Sequence, residues 1–246
     1  RLAEGGEPWT SLLAIAVGFG FGVAFVKRQT RLADPMIDLR LFNAPNLGTA
    51  LGINVIGLFT VMATFLFIAQ YLQLVLGMGP LEAGLWTAPS GIIFAIGSIA
   101  TAPLLKYITR ANLLAGGFLI AAVGYLVLAQ IGSSPGLGTL FAGMMLICIG
   151  LAPVGTVTTD IVLSSAPPQR AGAASAISET SFEFGAAAGL AVVGSAFTAV
   201  YRAAFDPAGL DGVGDEAITA ARNSLGGAAD AARGIAGENG VQLLER

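Results

Sequence analysis

The sequence contains no histidine and a single cysteine, Cys148, which lies in an apolar run. Without an imidazole or a second thiol, a disulfide framework, a thiolate-histidine zinc site and a cysteine protease are all excluded. Charge is scarce as well: 11% of residues are Asp, Glu, Lys or Arg, and the formal net charge is −3. So thin a set of cations forms no patch that would neutralise a phosphate backbone, and nucleic acid is not an expected partner. A soluble domain of 246 residues needs a polar shell, and the residues to build one are missing here. No metal or cofactor motif is found. The run Gly18-Phe19-Gly20-Phe21-Gly22 lies within an apolar stretch rather than between a strand and a helix, which removes it as a phosphate-binding loop.

What the chain has instead is long uncharged sequence. Hydrophobic residues make up 55%, the mean hydropathy is +0.78, and five stretches run 18 residues or more without a charge. A bilayer crossing takes about 20 apolar residues in a helix. The expected fold is therefore all-α, a polytopic transmembrane helical bundle of about six spans. Residues 9–26 form the first span, between Glu7 and Lys27, and 1–8 form an extracytoplasmic end. Acidic Glu4 and Glu7 precede that span where a signal peptide would be basic, so it is not read as one. Position 1 is Arg, and the chain is expected to begin inside a longer product. The uncharged run from Leu41 to Leu81 is too long for one pass, and its span is set at 47–74. The next is 85–105, between Glu82 and Lys106. The turn signal Gly132-Ser133-Ser134-Pro135-Gly136 divides the following run into 113–131 and 137–163, and 172–201 follows Pro167-Pro168.

Basic residues sit in alternate connections. Lys27, Arg28, Arg31, Arg40, Lys106, Arg110 and Arg170 follow the odd spans, and the connections after spans two and four hold none. By the positive-inside rule the loops after odd spans face the cytoplasm and both ends of the chain lie outside. Residues 206–246 shift to Ala, Gly and acids. This tail has room for a helix around Asp215 to Ala232 but lacks a broad apolar face, and it is expected to be an extracytoplasmic loop or loose tail.

Polar groups inside the spans are the candidate functional residues. Glu179 and Glu183 stand four apart, on one face of the sixth span, where a carboxylate costs roughly 3 kcal/mol to insert and typically relays protons or binds cations. Burial and mutual repulsion are expected to favour their protonated forms. Counted back from Tyr201 at about 1.5 Å per residue, Glu183 falls near the edge of the core and Glu179 at the interface, where an ordinary solvated role is the alternative. Asp160, a further proton-coupling candidate, ends the fifth span beyond Gly150, Pro153 and Gly155, which predict a kink that frees carbonyls toward a cavity; an interfacial carboxylate is its bland reading. Asn54, Phe59, Gln70 and Gln73 in the second span combine amides with an aromatic surface suited to a bulky hydrophobic cation. Taken singly, each amide is equally a helix-to-helix hydrogen-bond partner. An enzyme is not expected, because no nucleophile is paired with a base.

Several blocks resemble a known family. Pro35-Met36-Ile37-Asp38-Leu39-Arg40-Leu41-Phe42, Gln70-Tyr71-Leu72-Gln73, Gly79-Pro80-Leu81-Glu82-Ala83-Gly84, the stretch Ala166 to Ala176 and Glu179-Thr180-Ser181-Phe182-Glu183-Phe184-Gly185 are similar to the second half of fourteen-span drug:proton antiporters of the major facilitator superfamily. The resemblance implies half of such a fold, multi-pass in the cytoplasmic membrane. It implies export of small hydrophobic or cationic drugs in exchange for protons, with an amino-terminal half missing from these residues. Coupling would rest on Glu183 and Glu179. The contrasting expectation is a half-length membrane protein that does not transport, either degenerate or a partner subunit.

The charge count makes a topological prediction. With Cys148 replaced by serine, Gly79→Cys is expected to react with a membrane-impermeant maleimide in intact cells and Tyr107→Cys only after permeabilisation. The reverse pattern would invert the orientation.

Overall fold

The computed structural model describes residues 8–32, 35, 42, 44, 46–131, 136–205 and 214–234. Residues 1–7, most of the Pro35–Phe42 block, the 132–135 break and the tail residues 206–213 and 235–246 lie outside the described residues. Six helices are long and apolar enough to cross a membrane. They are α1 (Pro8–Gln29), α2 (Leu47–Gln70), α3 (Pro80–Leu104), α4 (Arg110–Leu128), α5 (Leu137–Ser164) and α6 (Ala171–Ala204). Two short helices follow, α7 (Asp215–Asn223) and α8 (Leu225–Gly234). The chain is a multi-pass helical membrane bundle, as its composition required.

Local chemistry sets several helix ends. Gly79 and Pro80 open α3, since proline at the first helical position gives up an amide that has no partner there. The Thr109 hydroxyl accepts from the Asn112 amide at 3.3 Å and caps α4. Asn46, at φ 72°, turns the chain into α2. α2 ends in a π-helical turn, Tyr71–Val75, before Gly77, also at positive φ, breaks it. Pro153 lies inside α5, which nevertheless runs as one helix.

Hydroxyls buried in apolar helices need acceptors, and most of them bond back to their own helix. Thr64 donates to the Thr60 carbonyl at 2.7 Å, Ser90 to Thr87 at 2.6 Å, Thr101 to Gly97 at 2.8 Å and Thr158 to Val154 at 3.0 Å. Polar side chains are thereby accommodated without leaving the helix.

Packing is organised around α5, the most enclosed helix, against which α3 and α4 lie. α2 packs along α6 and also touches α5. Both main seams depend on missing side chains. A methyl placed on Gly117 would strike the Gly150 carbonyl, and one on Gly150 would strike that of Gly117. Gly185 and Gly189 of α6 lie as closely on the Val55 and Phe59 carbonyls of α2. Glycines four apart thus meet carbonyls four apart, so two helix backbones touch directly. α1 stands apart, with 6% of its Leu12–Gln29 stretch buried.

At one end, the basic end, Arg110 pairs with Asp160, and Arg170 Nη1 donates to the Pro35 carbonyl at 3.3 Å. The opposite end is the tail end. There the tail differs from the expectation of one weakly anchored helix. α7 and α8 fold on each other and onto the end of α6, burying Ala221, Ala228 and Ala232 with Phe205. Tyr201 Oη donates to the Ala221 carbonyl at 2.9 Å, and Arg202 Nη2 to Asn223 Oδ1 at 2.7 Å. Alanines, with Ile218, give these helices an apolar side, which a search for large hydrophobic residues overlooks.

Replacing Gly189 by leucine is expected to force α2 and α6 apart and cost about 2 kcal/mol or more. Thermal unfolding in detergent would show it, whereas an unchanged midpoint would mean that the seam is not tight. Gly57→Leu, at a glycine with nothing within 4 Å, is the control.

Candidate functional site

Three polar features stand out in the bundle: a seam network, an acidic face and a cavity at the tail end. The first joins α2 to α6. Asn54, 2% exposed, donates through Nδ2 to Ser178 Oγ at 3.3 Å and Ser181 Oγ at 3.2 Å. Ser181 Oγ donates in turn to the Ser178 carbonyl at 2.6 Å. Asn54 Oδ1 is buried with no hydrogen-bond partner among the described residues. A polar group in this position orients two helices and, through its open acceptor, can receive one more donor such as a water.

Ser178, Ser181, Gly185 and Gly189 define the side of α6 turned to α2. At about 100° per residue, Glu183 lies on roughly the opposite side. Glu179 and Glu183 are both exposed on the surface of the chain, one turn apart. Their neighbour Phe184 is 65% exposed. An apolar helix that turns two carboxylates and a phenylalanine outward presents them either to water or to another protein surface, because lipid would penalise the charges.

Asp160 occupies a different environment. Its Oδ2 lies 2.6 Å from Arg110 Nη2, and both side chains are about half exposed. The pair ties the start of α4 to the end of α5. An exposed pair of this kind contributes at most about 1 kcal/mol.

The four residues of the second span separate. Gln70 lines the tail-end cavity, of about 510 Å³, with Phe67, Tyr71, Tyr125 and Phe197, and Leu225 of α8 reaches its rim. Phe67 and Phe197 meet edge to face at 5.2 Å. Gln70 Oε1 and Tyr125 Oη are both buried and without a hydrogen-bond partner among the described residues. Asn54 belongs to the seam, and Phe59 contributes its carbonyl to the Gly189 contact. Gln73 lies in the π-helical turn and is not part of the cavity lining.

Sequence reasoning passed over Ser178, Ser181, Tyr125 and Phe197. The two serines carried a usable signal, since they recur with Gly185 at helical spacing on one face. Tyr125 and Phe197 carried none, because each is one aromatic residue in an apolar run.

No protein-family model matches the chain. Curated relatives do. It is similar to the multidrug efflux pump LfrA of Mycolicibacterium smegmatis, with 36% identity over 99% of this chain and 48% of the relative. It also resembles the methyl viologen resistance protein SmvA of Salmonella typhimurium, at 27% identity over 90% of this chain and 44% of the relative. The multidrug resistance protein Stp of Mycobacterium tuberculosis is 30% identical over 81% of this chain and 37% of its own length. The chain therefore spans about half, or less, of the curated relatives it matches.

Replacing Asn54 by leucine removes both seam hydrogen bonds and leaves the two serine hydroxyls to their own helix. The expected loss is about 1 kcal/mol, read as a lower unfolding midpoint in detergent. A midpoint raised above that of the unaltered chain would show that the buried amide opposes the packing.

Proposed function

From its membership of the multidrug-exporter branch of the major facilitator superfamily, we propose that this chain is the carboxy-terminal portion of a secondary transporter that exports hydrophobic, including cationic, drugs across the plasma membrane. The observation that carries the reading is the 36% identity to a multidrug efflux pump over 99% of the chain, a stretch that takes in all six apolar helices. A binding module or isolated subunit gains no comparable support.

Within this reading, export is coupled to protons. Glu183 carries the exchange and Glu179 assists it, a role supported by their outward position on an apolar helix away from the α2 seam. Protonation of Glu183 from outside would neutralise the acidic face and favour release of a cationic drug. Loss of the proton toward the cytoplasm would restore the charge that attracts the next. Asp160 is already neutralised by Arg110 and serves the basic end as an ion-pair partner. Gln70 and the aromatic cavity walls are the drug contacts best supported here, whereas Asn54 and Phe59 act through the seam. Alternating access needs two bundles that rock about a shared site, so the amino-terminal half of the same transporter is the required partner. The basic end faces the cytoplasm, as the charge count favours.

Drug efflux by the complete transporter carrying Glu183→Gln tests this. Proton-driven efflux is expected to fall at least about tenfold, a change of roughly 1.4 kcal/mol in the barrier. Efflux with its rate and proton dependence unchanged would remove Glu183 from the mechanism.

A further inference from the structure

α2 and α6 run side by side along a seam that shape alone holds over most of its length. Leu47 and Leu51 cluster with Ala174 and Ile177 toward the basic end, and Phe67 meets Phe197 at the tail-end cavity. Between these, the Val55 and Phe59 carbonyls lie on Gly185 and Gly189. That central contact is smooth. Only the methyls of Ala186, Ala187 and Ala188 stand between the two glycines, and they offer little resistance to a turn of α6 about its own axis. One contact in the seam has a direction. Among the described residues, the bonds from Asn54 Nδ2 to Ser178 Oγ and Ser181 Oγ are the only side-chain hydrogen bonds between the two helices.

The two bonds compete. Both are long, 3.3 Å and 3.2 Å against a usual length of about 2.9–3.0 Å, so the amide straddles the two hydroxyls and seats fully on neither. Nothing pins it from behind, because Asn54 Oδ1 has no hydrogen-bond partner among the described residues. Residues three apart stand about 60° apart round a helix, so a turn of α6 by about 30° either way would seat the amide on one serine and release the other. At a side-chain radius of about 5–6 Å, that turn displaces the Glu179 and Glu183 carboxylates by about 3 Å. The bonded serines flank Glu179 and precede Glu183 on the same helix. α2 itself carries no charged residue, which leaves the amide as its means of setting where the carboxylates face.

We propose that Asn54 is a positioning residue for proton exchange: its amide is a two-position latch between Ser178 and Ser181 that sets the direction in which Glu179 and Glu183 face. This rests on the exporter reading above and adds to it the link between drug and proton. α2 carries Phe67 and Gln70 to the drug cavity and Asn54 to the latch, so a drug that shifts α2 is felt by α6 through one amide. With the amide on either serine the carboxylates are held in one of two directions. Without it α6 turns freely, and drug and protons cross independently of each other.

The test uses the complete transporter in proteoliposomes and compares uphill ethidium efflux, driven by a proton gradient, with downhill efflux in its absence. Asn54→Leu, and Ser178→Ala combined with Ser181→Ala, are each expected to lower the uphill-to-downhill ratio at least about fivefold. Ser178→Ala or Ser181→Ala alone leaves one bond and is expected to slow both fluxes while keeping the ratio. A merely structural role lowers both fluxes together in every variant, so an unchanged ratio in Asn54→Leu would overturn the proposal. So would full uncoupling by either single serine change. The turn of α6 is read separately, with Cys148 replaced by serine. Adding Asn54→Leu is expected to change the reactivity of Phe184→Cys toward N-ethylmaleimide severalfold and to leave that of Ile56→Cys, on α2, unaltered. Equal reactivity at position 184 with and without Asn54 would also sink the latch. An unaltered transporter that shows this turn but no proton-driven efflux would count against the exporter reading alone.

Discussion

Hydrocarbon offers a backbone amide nothing to bond with, and that constraint governs the whole molecule. Each membrane-crossing segment must close its own hydrogen bonds, so it becomes a helix whatever its intrinsic propensity. Glycine-rich α1 and the valine-, isoleucine- and threonine-containing α2 would be mediocre helices in water, yet both are continuous here. Hydroxyls obey the same requirement by returning to carbonyls one turn back. Proline is tolerated on the same terms: Pro153 leaves the Ile149 carbonyl without its usual amide partner while α5 continues past it.

Once the helices exist, water no longer drives them together, and close approach has to replace hydrophobic burial. This accounts for the uneven use of glycine. Those in the seams touch backbone carbonyls directly, whereas Gly48, Gly52 and Gly57 meet nothing. The polar bridge from Asn54 to Ser178 and Ser181 lies beside the α2–α6 contact and fixes its register. Asn54 is therefore a packing residue by position, although its open acceptor keeps it chemically available.

Much of the architecture was legible in the sequence because the bilayer imposes a length on every apolar run. The membrane helices could be read from stretches without charge. Helix ends were less legible: α3 starts at Pro80, several residues before its expected span, because a Gly-Pro pair and Glu82 make a good first turn outside the apolar run. The folded tail was hidden because alanine gives little hydropathy signal. For the site, a polar residue in a span announces that it needs a partner without naming one. Asn54 and Gln70 look alike in sequence, yet one bridges two helices and the other borders a cavity. That difference lies in which neighbour comes near, and sequence spacing within one helix does not contain it.

α6 is 34 residues long, about 50 Å at about 1.5 Å per residue, against a hydrocarbon core of about 30 Å. It bears on α2 at Gly185 and Gly189, backbone to backbone, and carries α7 and α8 on its far end. Mechanically this is a lever with its fulcrum near the middle of the membrane. From Gly189 to Ala204 the arm is about 22 Å, so a tilt of about 10° would sweep the α7–α8 platform through roughly 4 Å. Leu225, at the rim of the aromatic cavity, would move with it, and Glu183, on the other side of the fulcrum, would move the opposite way. The glycine contacts thus make α6 a seesaw whose longer arm carries the α7–α8 platform.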